Sequence, residues 1–211
     1  MNFYSAIEEV GILPVICLKN EEELETFERA IVKTPVKCFE ITMRHPFSYK
    51  AIEYFKKTRP QLIVGAGTVV NGEILRDVAQ LGADFCVSPG FDKNIVEQAA
   101  ALGMPFIPGC ATPTEILGAQ CMGLDAVKLF PAECFGGVGA LKLYASAFRG
   151  VRFLPTGGIT LDNYLSYLSC ENVLGCGGSF MIPKDLMQNR DSEGIAQIVN
   201  SSIKAAWEVK K

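Results

Sequence analysis

Short runs of apolar, mostly β-branched residues recur along the chain, and segments of helical periodicity separate them. The segments Glu21–Val32 and Asn71–Leu81 carry apolar residues on one helical face, and Gly or Pro stands at nearly every junction. The pattern predicts eight strands, each followed by a helix. The eight apolar runs are Ile12–Leu18, Cys38–Met43, Leu62–Val64, Phe85–Val87, Pro105–Ile107, Ala126–Phe130, Arg152–Leu154 and Val173–Cys176.

Eight strand–helix units favour an α/β fold, a (β/α)8 TIM barrel formed by residues 1–211 as a single domain. The alternative is an open, doubly wound sheet, which usually has fewer units and a glycine-rich turn after its first strand. Here Lys19 and Asn20 follow the first run, and that turn is missing. Phe3–Val10 is predicted to be a short helix that closes the bottom of the barrel, and Ser192–Val209 the last helix.

Composition narrows the functional classes. Apolar residues make up 49% of the chain, which suits one substantial core, and the net charge is -3 without a basic tail or patch. Nucleic acid is therefore not an expected partner. The apolar runs are far too short to cross a membrane, and the N-terminus does not have the pattern of a signal peptide. Eight cysteines without a CxxC pair favour reduced, buried thiols in a cytoplasmic protein.

The chain has one histidine, His45, so the usual histidine-rich zinc sites are excluded and no metal site is assigned. Carboxylates could still bind Mg²⁺, which leaves a metal-dependent enzyme as a disfavoured alternative. His45 follows the second run, where we expect a residue of the loop or rim.

Lys128 lies within the sixth run, between apolar residues. Strand side chains alternate, so Lys128 shares a face with Ala126 and Phe130, and both faces of a barrel strand are covered. Burial disfavours the charged form of a lysine, and the neutral amine is the form that attacks a carbonyl. From spacing alone, this reading and a lysine that reaches solvent at the strand end are equally supported.

In the second run, Glu40, Thr42 and Arg44 share one face by the same period of two. A carboxylate there can relay protons, and an arginine can bind a carboxylate through two parallel hydrogen bonds. The alternative is a structural Glu40–Arg44 ion pair, and the pattern does not distinguish the two.

Glycine turns follow the seventh and eighth runs, at Gly157-Gly158 and at Gly177-Gly178-Ser179. These are the two adjacent strands after which barrels commonly bind a phosphate. Glycine lets the backbone approach an anion closely, so a phosphate site is favoured here.

Taken together, these residues resemble the 2-keto-3-deoxy-6-phosphogluconate (KDPG) and 2-keto-4-hydroxyglutarate (KHG) aldolase family. The resemblance runs from about residue 14 to Pro183. Its motifs, in order, are Glu40-Ile41-Thr42-Met43-Arg44, Gly65-Ala66-Gly67-Thr68-Val69, Ser88-Pro89-Gly90, Pro108-Gly109, Lys128-Leu129-Phe130-Pro131-Ala132-Glu133, Pro155-Thr156-Gly157-Gly158-Ile159 and Gly177-Gly178-Ser179.

The resemblance implies a class I aldolase without a cofactor, which acts on a small 2-keto acid and assembles as a homotrimer. It implies that Lys128 forms the Schiff base and that Glu40 is the general acid and base. By the same resemblance the pyruvate end of the substrate is bound by Arg44, Thr68, Pro89 and Thr156. The phosphate is bound by Gly157, Gly158, Gly178 and Ser179.

The chain departs from the family pattern at Phe180, where a tryptophan is common. Residues 108–112 are also similar to galactonate-type aldolases, so a 2-keto-3-deoxy-6-phosphogalactonate aldolase is one alternative. Others are a phosphate-binding TIM-barrel isomerase or synthase, which has no need of Lys128 beside Glu40 and Arg44, and a barrel that binds without turnover. Whether Cys134 is reactive is not indicated by the sequence.

Overall fold

The computed structural model describes residues 2–209 and shows an α/β fold in which parallel strands alternate with helices. Nine strands lie in this part of the chain: β1 Ile12–Ile16, β2 Cys38–Thr42, β3 Ile63–Gly67, β4 Phe85–Val87, β5 Phe106–Ile107, β6 Gly109–Cys110, β7 Ala126–Leu129, β8 Arg152–Phe153 and β9 Cys176–Gly178.

Ten α-helices lie in the same residues, and a short 3₁₀ helix covers Glu133–Phe135. The helices are α1 Phe3–Val10, α2 Glu21–Ile31, α3 Phe47–Thr58, α4 Gly72–Gln80, α5 Lys93–Ala101, α6 Pro113–Cys121, α7 Gly137–Ala147, α8 Tyr164–Leu168, α9 Lys184–Gln188 and α10 Ser192–Val209. The first and last helices have the predicted bounds.

The strands form two parallel sheets, with the orders β5-β4-β3-β2-β1-β9 and β6-β7-β8. Isolated bridges join Phe153 to Val173 and Thr156 to Gly177, so β8 lies beside the chain at β9. At the other junction only Pro108 separates β5 from β6. Proline has no N–H to donate to a ladder, which explains why strand structure is interrupted at this residue. The predicted fifth strand ended at Ile107, and the short strand β6 beyond Pro108 was not predicted. A continuous eight-stranded ladder is not present in residues 2–209.

Most predicted strands differ from the structure by one or two residues at an end, and two of them differ by three residues at one end. The third strand extends through Gly65 and Gly67, and the eighth begins at Cys176 rather than Val173. Glycine has a low strand propensity, so a strand prediction based on runs of β-branched residues misses strand residues that are glycines. In both cases the backbone pairs with a neighbouring strand: Gly67 lies opposite Thr42, and Gly178 lies opposite Pro14.

The core has two parts, one on each face of the sheets. The outer part packs Phe39, Ile41, Val127 and Leu129 against the helices. The inner part is smaller and includes Phe3 of α1, whose ring stacks on that of Phe85 with centroids 4.7 Å apart. Helix α1 therefore covers the inner core at the amino end of β4, as the sequence predicted for the bottom of the barrel. The opposite, carboxyl ends of the strands carry the polar residues. The buried members of the inner part are Phe3, Ala6, Ile7, Leu13, Cys38, Phe85, Val87, Ile107, Ala126, Leu154 and Leu174.

All eight cysteines are free thiols, and five of them are buried. Cys121 and Cys134 are exposed, and Cys17 is half-buried. Burial raises the pKa of the Cys86 thiol to about 12 and that of Cys110, where Glu115 adds to the effect, to about 12.

Candidate active site

Lys128 is a buried residue of the central strand of the smaller sheet. Its neighbours Val127 and Leu129 belong to the outer core, whereas Lys128 faces inward and is only 5% exposed. Its Nζ lies 5.2 Å from the centre of the Phe130 ring. The alternative in which this lysine reaches solvent at a strand end is therefore wrong.

Glu40 is the acidic neighbour of Lys128 and is itself 1% exposed. Its Oε1 lies 3.6 Å from Lys128 Nζ, which is longer than a direct hydrogen bond. Among the described residues, neither carboxylate oxygen accepts a hydrogen bond. A buried carboxylate beside one amine and no other donor is a costly arrangement, so the surrounding structure must hold both groups in place.

The space for this carboxylate is created by glycine in the next strand. Gly67 lies opposite Thr42 in the register of β2 and β3, and a Cβ at position 67 would overlap the Glu40 carboxylate. The hydroxyl of Thr42 is also buried and has no hydrogen-bond partner in the described part of the chain. The inner face of β2 is therefore a polar surface, as the period of two predicted.

Arg44 and Thr68 lie just beyond the ends of β2 and β3 and contact each other. The Arg44 Nε donates a hydrogen bond of 3.1 Å to Thr68 Oγ1. Thr68 has a φ of 61°, in the left-handed region that costs a non-glycine residue about 1–2 kcal/mol. The hydrogen bond to Arg44 helps to hold the threonine in this conformation. The Glu40–Arg44 ion pair that the sequence left open as an alternative is absent from residues 2–209, because Glu40 lies beside Lys128 instead.

A cavity of about 600 Å³ opens above the ends of β1, β2 and β9. Its wall contains Thr42 and Arg44 on one side and Ser179 on the other, so residues predicted for the two ends of the substrate share one cavity. Lys19 and Lys184 also line it and add positive charge to its mouth. The cavity can therefore attract a small anionic molecule.

Pro89 follows β4 and Thr156 follows β8, and each lies against a neighbouring strand. The Pro89 carbonyl lies so close to Gly109 that a Cβ on Gly109 would overlap it, and Gly109 lies opposite Lys128 in the register of β6 and β7. Thr156 is buried and bridges to Gly177, where a Cβ would lie 2.5 Å from the threonine Oγ1. Pro89 thus lies against β6, the strand that pairs with the strand of Lys128, and Thr156 bridges to β9, the strand that carries Gly178.

The two glycine turns lie where the sequence placed them, after β8 and at β9. Gly157 and Gly158 have φ values of 91° and 82°, which only glycine adopts without strain. A Cβ on Gly157 would lie 3.2 Å from the Phe130 ring, so this turn is close to the residue that covers Lys128. Gly178 is half-buried and Ser179 is exposed at the cavity wall.

Several nearby residues were not assigned a role from the sequence. Asn163 donates from Nδ2 to the Gly158 carbonyl oxygen at 3.0 Å, and the Tyr167 hydroxyl donates to the Glu133 carboxylate. Glu133 and Tyr167 are 34 positions apart, so no local pattern indicates their contact. His45 is a rim residue, as expected; its Nδ1 accepts a hydrogen bond from Phe47 N at 3.2 Å.

Within residues 2–209, no group of three or more His, Cys, Asp or Glu side chains is arranged to hold a metal ion. Over the same residues, none of the helices combines the length and the apolar character needed to span a bilayer.

A family model and a curated relative that match this chain carry the same family name. A family model described as KDPG and KHG aldolase matches residues 4–198. The KHG/KDPG aldolase of Escherichia coli K12 is 38% identical over 195 residues, with 92% of each chain covered.

Two solved structures show the same likeness. One is the KDPG aldolase of Legionella pneumophila with pyruvate captured as a covalent carbinolamine intermediate. It has a TM-score of 0.91 and 32% identity and covers 95% of this chain and 98% of its own. The other is the 2-keto-3-deoxy-6-phosphogluconate aldolase of Zymomonas mobilis ZM4 with 3-phosphoglycerate. It has a TM-score of 0.87 and 34% identity, with coverage of 94% and 93%.

Gly67→Ala tests whether glycine makes the space for the Glu40 carboxylate. The added Cβ must displace Glu40, so we expect an overpacking loss of about 1–3 kcal/mol in the free energy of unfolding, measured in urea. The control is Gly139→Ala in α7, where a Cβ would have no neighbour within 4 Å and the helix should gain up to about 1 kcal/mol. A crystal structure of the Gly67→Ala protein with Glu40 still beside Lys128, at unchanged stability, would contradict this account.

Proposed function

The chain belongs to the KDPG and KHG aldolase family, and we propose that it cleaves 2-keto-3-deoxy-6-phosphogluconate to pyruvate and glyceraldehyde 3-phosphate through a Schiff base on Lys128. The observation that carries the proposal is the buried Lys128 amine 3.6 Å from the buried Glu40 carboxylate. The same site suits 4-hydroxy-2-oxoglutarate, which would give pyruvate and glyoxylate. The names of the relatives, which include both activities, support this substrate class.

In the first step, Lys128 as a neutral amine attacks the C2 carbonyl carbon of the keto acid. The carbonyl oxygen becomes the hydroxyl of a carbinolamine, and its loss as water leaves an iminium ion. Glu40 lies near the lysine but beyond direct hydrogen-bond distance, so we infer that it exchanges protons through a water molecule. The Phe130 ring lies beside the Lys128 Nζ and limits the contact of the amine with solvent.

In the second step, the iminium nitrogen accepts the electron pair of the C3–C4 bond. Glu40, or the water that it orients, takes the proton of the C4 hydroxyl, and the C3–C4 bond breaks to release the aldehyde. The resulting enamine is protonated at C3, and water hydrolyses the pyruvate iminium to restore Lys128. Covalent catalysis divides one difficult cleavage into easier steps, and the iminium serves as the electron sink without a cofactor.

The pyruvate end is bound, in this proposal, by the residues around the ends of β2 and β3. The Arg44 guanidinium can pair with the substrate carboxylate, and its hydrogen bond to Thr68 orients it. Pro89 lies against Gly109 of β6, and Thr156 bridges to Gly177 of β9, so both lie on the Lys128 side of the site. Both Arg44 and the buried Thr42 line the cavity in which the rest of the substrate would extend.

The phosphate end is bound by backbone groups of Gly157, Gly158, Gly178 and Ser179. The two turns lie on neighbouring strands, because Thr156 bridges to Gly177. Lys19 and Lys184 are exposed residues that line the cavity. They would add long-range attraction for an anionic substrate without contacting it directly.

We also propose that the two sheets close into a (β/α)8 barrel. The bridges Phe153–Val173 and Thr156–Gly177 connect β8 to β9, and Lys128 N donates to the Pro108 carbonyl between β5 and β6.

We propose in addition that the protein assembles as a homotrimer and is located in the cytoplasm. Leu143 of α7 is 72% exposed and Phe135 is 46% exposed, which supports association on this side of the molecule. The eight free thiols support a reducing compartment.

Lys128→Ala removes the nucleophile. We expect kcat/KM for 2-keto-3-deoxy-6-phosphogluconate to fall by about three orders of magnitude or more, in an assay that measures pyruvate formation. The matched control is Lys142→Ala, since Lys142 is an exposed lysine of α7 away from the cavity; its rate should change by less than about twofold. Comparable turnover of the Lys128→Ala and wild-type proteins would refute the proposed Schiff base.

Glu40→Gln keeps the shape of the side chain but removes the proton acceptor. The expected result is a fall in kcat of about 100-fold, because a positioned acid or base commonly contributes that much or more, with a small change in KM. The measurement is steady-state kinetics with the phosphogluconate and hydroxyglutarate substrates. If only KM changes, Glu40 binds substrate and does not transfer protons.

A further inference from the structure

The turn Thr156–Gly158 follows β8. Its three carbonyl oxygens accept hydrogen bonds from neighbouring groups, and these bonds hold the turn in place. The Thr156 oxygen accepts from Ala132 N at 2.9 Å, and the Gly157 oxygen accepts from Glu133 N at 3.2 Å. The Gly158 oxygen accepts from Asn163 Nδ2 at 3.0 Å. Three consecutive peptide groups are therefore fixed in orientation by hydrogen bonds to the 3₁₀ segment and to Asn163.

In a planar trans peptide the N–H points away from the C=O. The amides of Gly157, Gly158 and Ile159 must then point away from the groups that hold the carbonyls. Within residues 2–209 these three N–H groups donate to no protein atom. Successive free N–H groups in a turn with positive φ values form a concave site for an anion.

The donors that hold this turn depend on two side chains, those of Asn163 and Tyr167. Asn163 is oriented because its Oδ1 accepts a hydrogen bond of 2.8 Å from Thr160 N, which directs Nδ2 at the Gly158 oxygen. Tyr167 is fully buried, and its hydroxyl donates to the Glu133 carboxylate. Burial and that carboxylate raise the pKa of Tyr167 well above its ordinary value, so the phenol stays a donor at any physiological pH.

Glu133 transmits this anchoring to the turn in two ways. Its backbone N–H holds the Gly157 carbonyl, and its side chain packs on Gly158, where a Cβ would lie 2.6 Å from Glu133 Cβ. Movement of the Glu133 side chain would therefore shift the turn itself.

We propose that Tyr167, acting through Glu133, and Asn163 are positioning residues that orient the amides of Gly157, Gly158 and Ile159 toward the terminal phosphate of the substrate. This inference rests on the proposed function, because the phosphate belongs to the substrate proposed above. It assigns selectivity for a phosphorylated substrate to two side chains that do not contact it.

The test compares Tyr167→Phe and Asn163→Ala with matched controls. Tyr164→Phe removes another buried tyrosine hydroxyl of α8, which donates to the Ser202 oxygen at 3.1 Å. Asn200→Ala removes another exposed amide that donates to a backbone carbonyl, that of Lys33 at 3.2 Å. Asn163 itself makes no side-chain capping bond to α8, so its loss does not uncap that helix.

In both positioning variants we expect KM for the phosphogluconate substrate to rise about tenfold, because a tenfold loss of affinity corresponds to the loss of about one hydrogen bond. We expect kcat to change by less than about twofold. The ratio of kcat/KM for the phosphogluconate substrate to that for hydroxyglutarate, which has no phosphate, should fall by the same factor. In the two controls this ratio should not change. An equal loss on both substrates, or the same shift in the controls, would overturn the inference and leave a structural role.

A binding measurement separates this inference from the proposed function. Calorimetry with inorganic phosphate should show affinity in the wild-type protein and a loss of about tenfold in Tyr167→Phe and Asn163→Ala. If the wild-type protein cleaves neither substrate but shows this loss, the proposed function fails and the positioning stands. If phosphate affinity is the same in the wild-type and both variants, the positioning is refuted whatever the activity.

Discussion

The buried contact between Lys128 and Glu40 is the constraint on which the rest of the site depends. Two ionisable groups almost without solvent contact lose their hydration, and in residues 2–209 the carboxylate has no hydrogen bond to offset that loss. Such a pair persists only when the surrounding structure holds both partners in place. The structure does so by fixing each on a strand whose opposite face is packed against helices.

The two-part core explains where this pair lies. The inner core is apolar near the amino ends of the strands, where α1 and the Phe3–Phe85 stack cover it. Further along the strands the inward-facing positions become Glu40, Thr42 and Lys128, and Gly67 in the neighbouring strand leaves space for Glu40. The polar site thus adjoins the core on one side, and Thr42 is the one of these three residues that also lines the 600 Å³ cavity.

Much of this arrangement could be predicted, because it depends on local periodicity. The period of two placed Lys128 with Ala126 and placed Glu40 with Thr42, and the structure confirms both faces. Other features depend on contacts between distant parts of the chain. The space made by Gly67, the split at Pro108 and the contact of Tyr167 with Glu133 leave no periodic signal, and strands that contain glycine are missed by propensity.

The most direct measurement of the central claim is reductive trapping. The protein is treated with pyruvate and sodium borohydride, digested, and the modified peptide is identified by mass spectrometry. Our account predicts a reduced pyruvate adduct on Lys128, at about one per chain, because its amine lies in the site where the iminium forms. Failure to form an adduct, or an adduct on another lysine such as Lys19 or Lys184 at the cavity mouth, would contradict it.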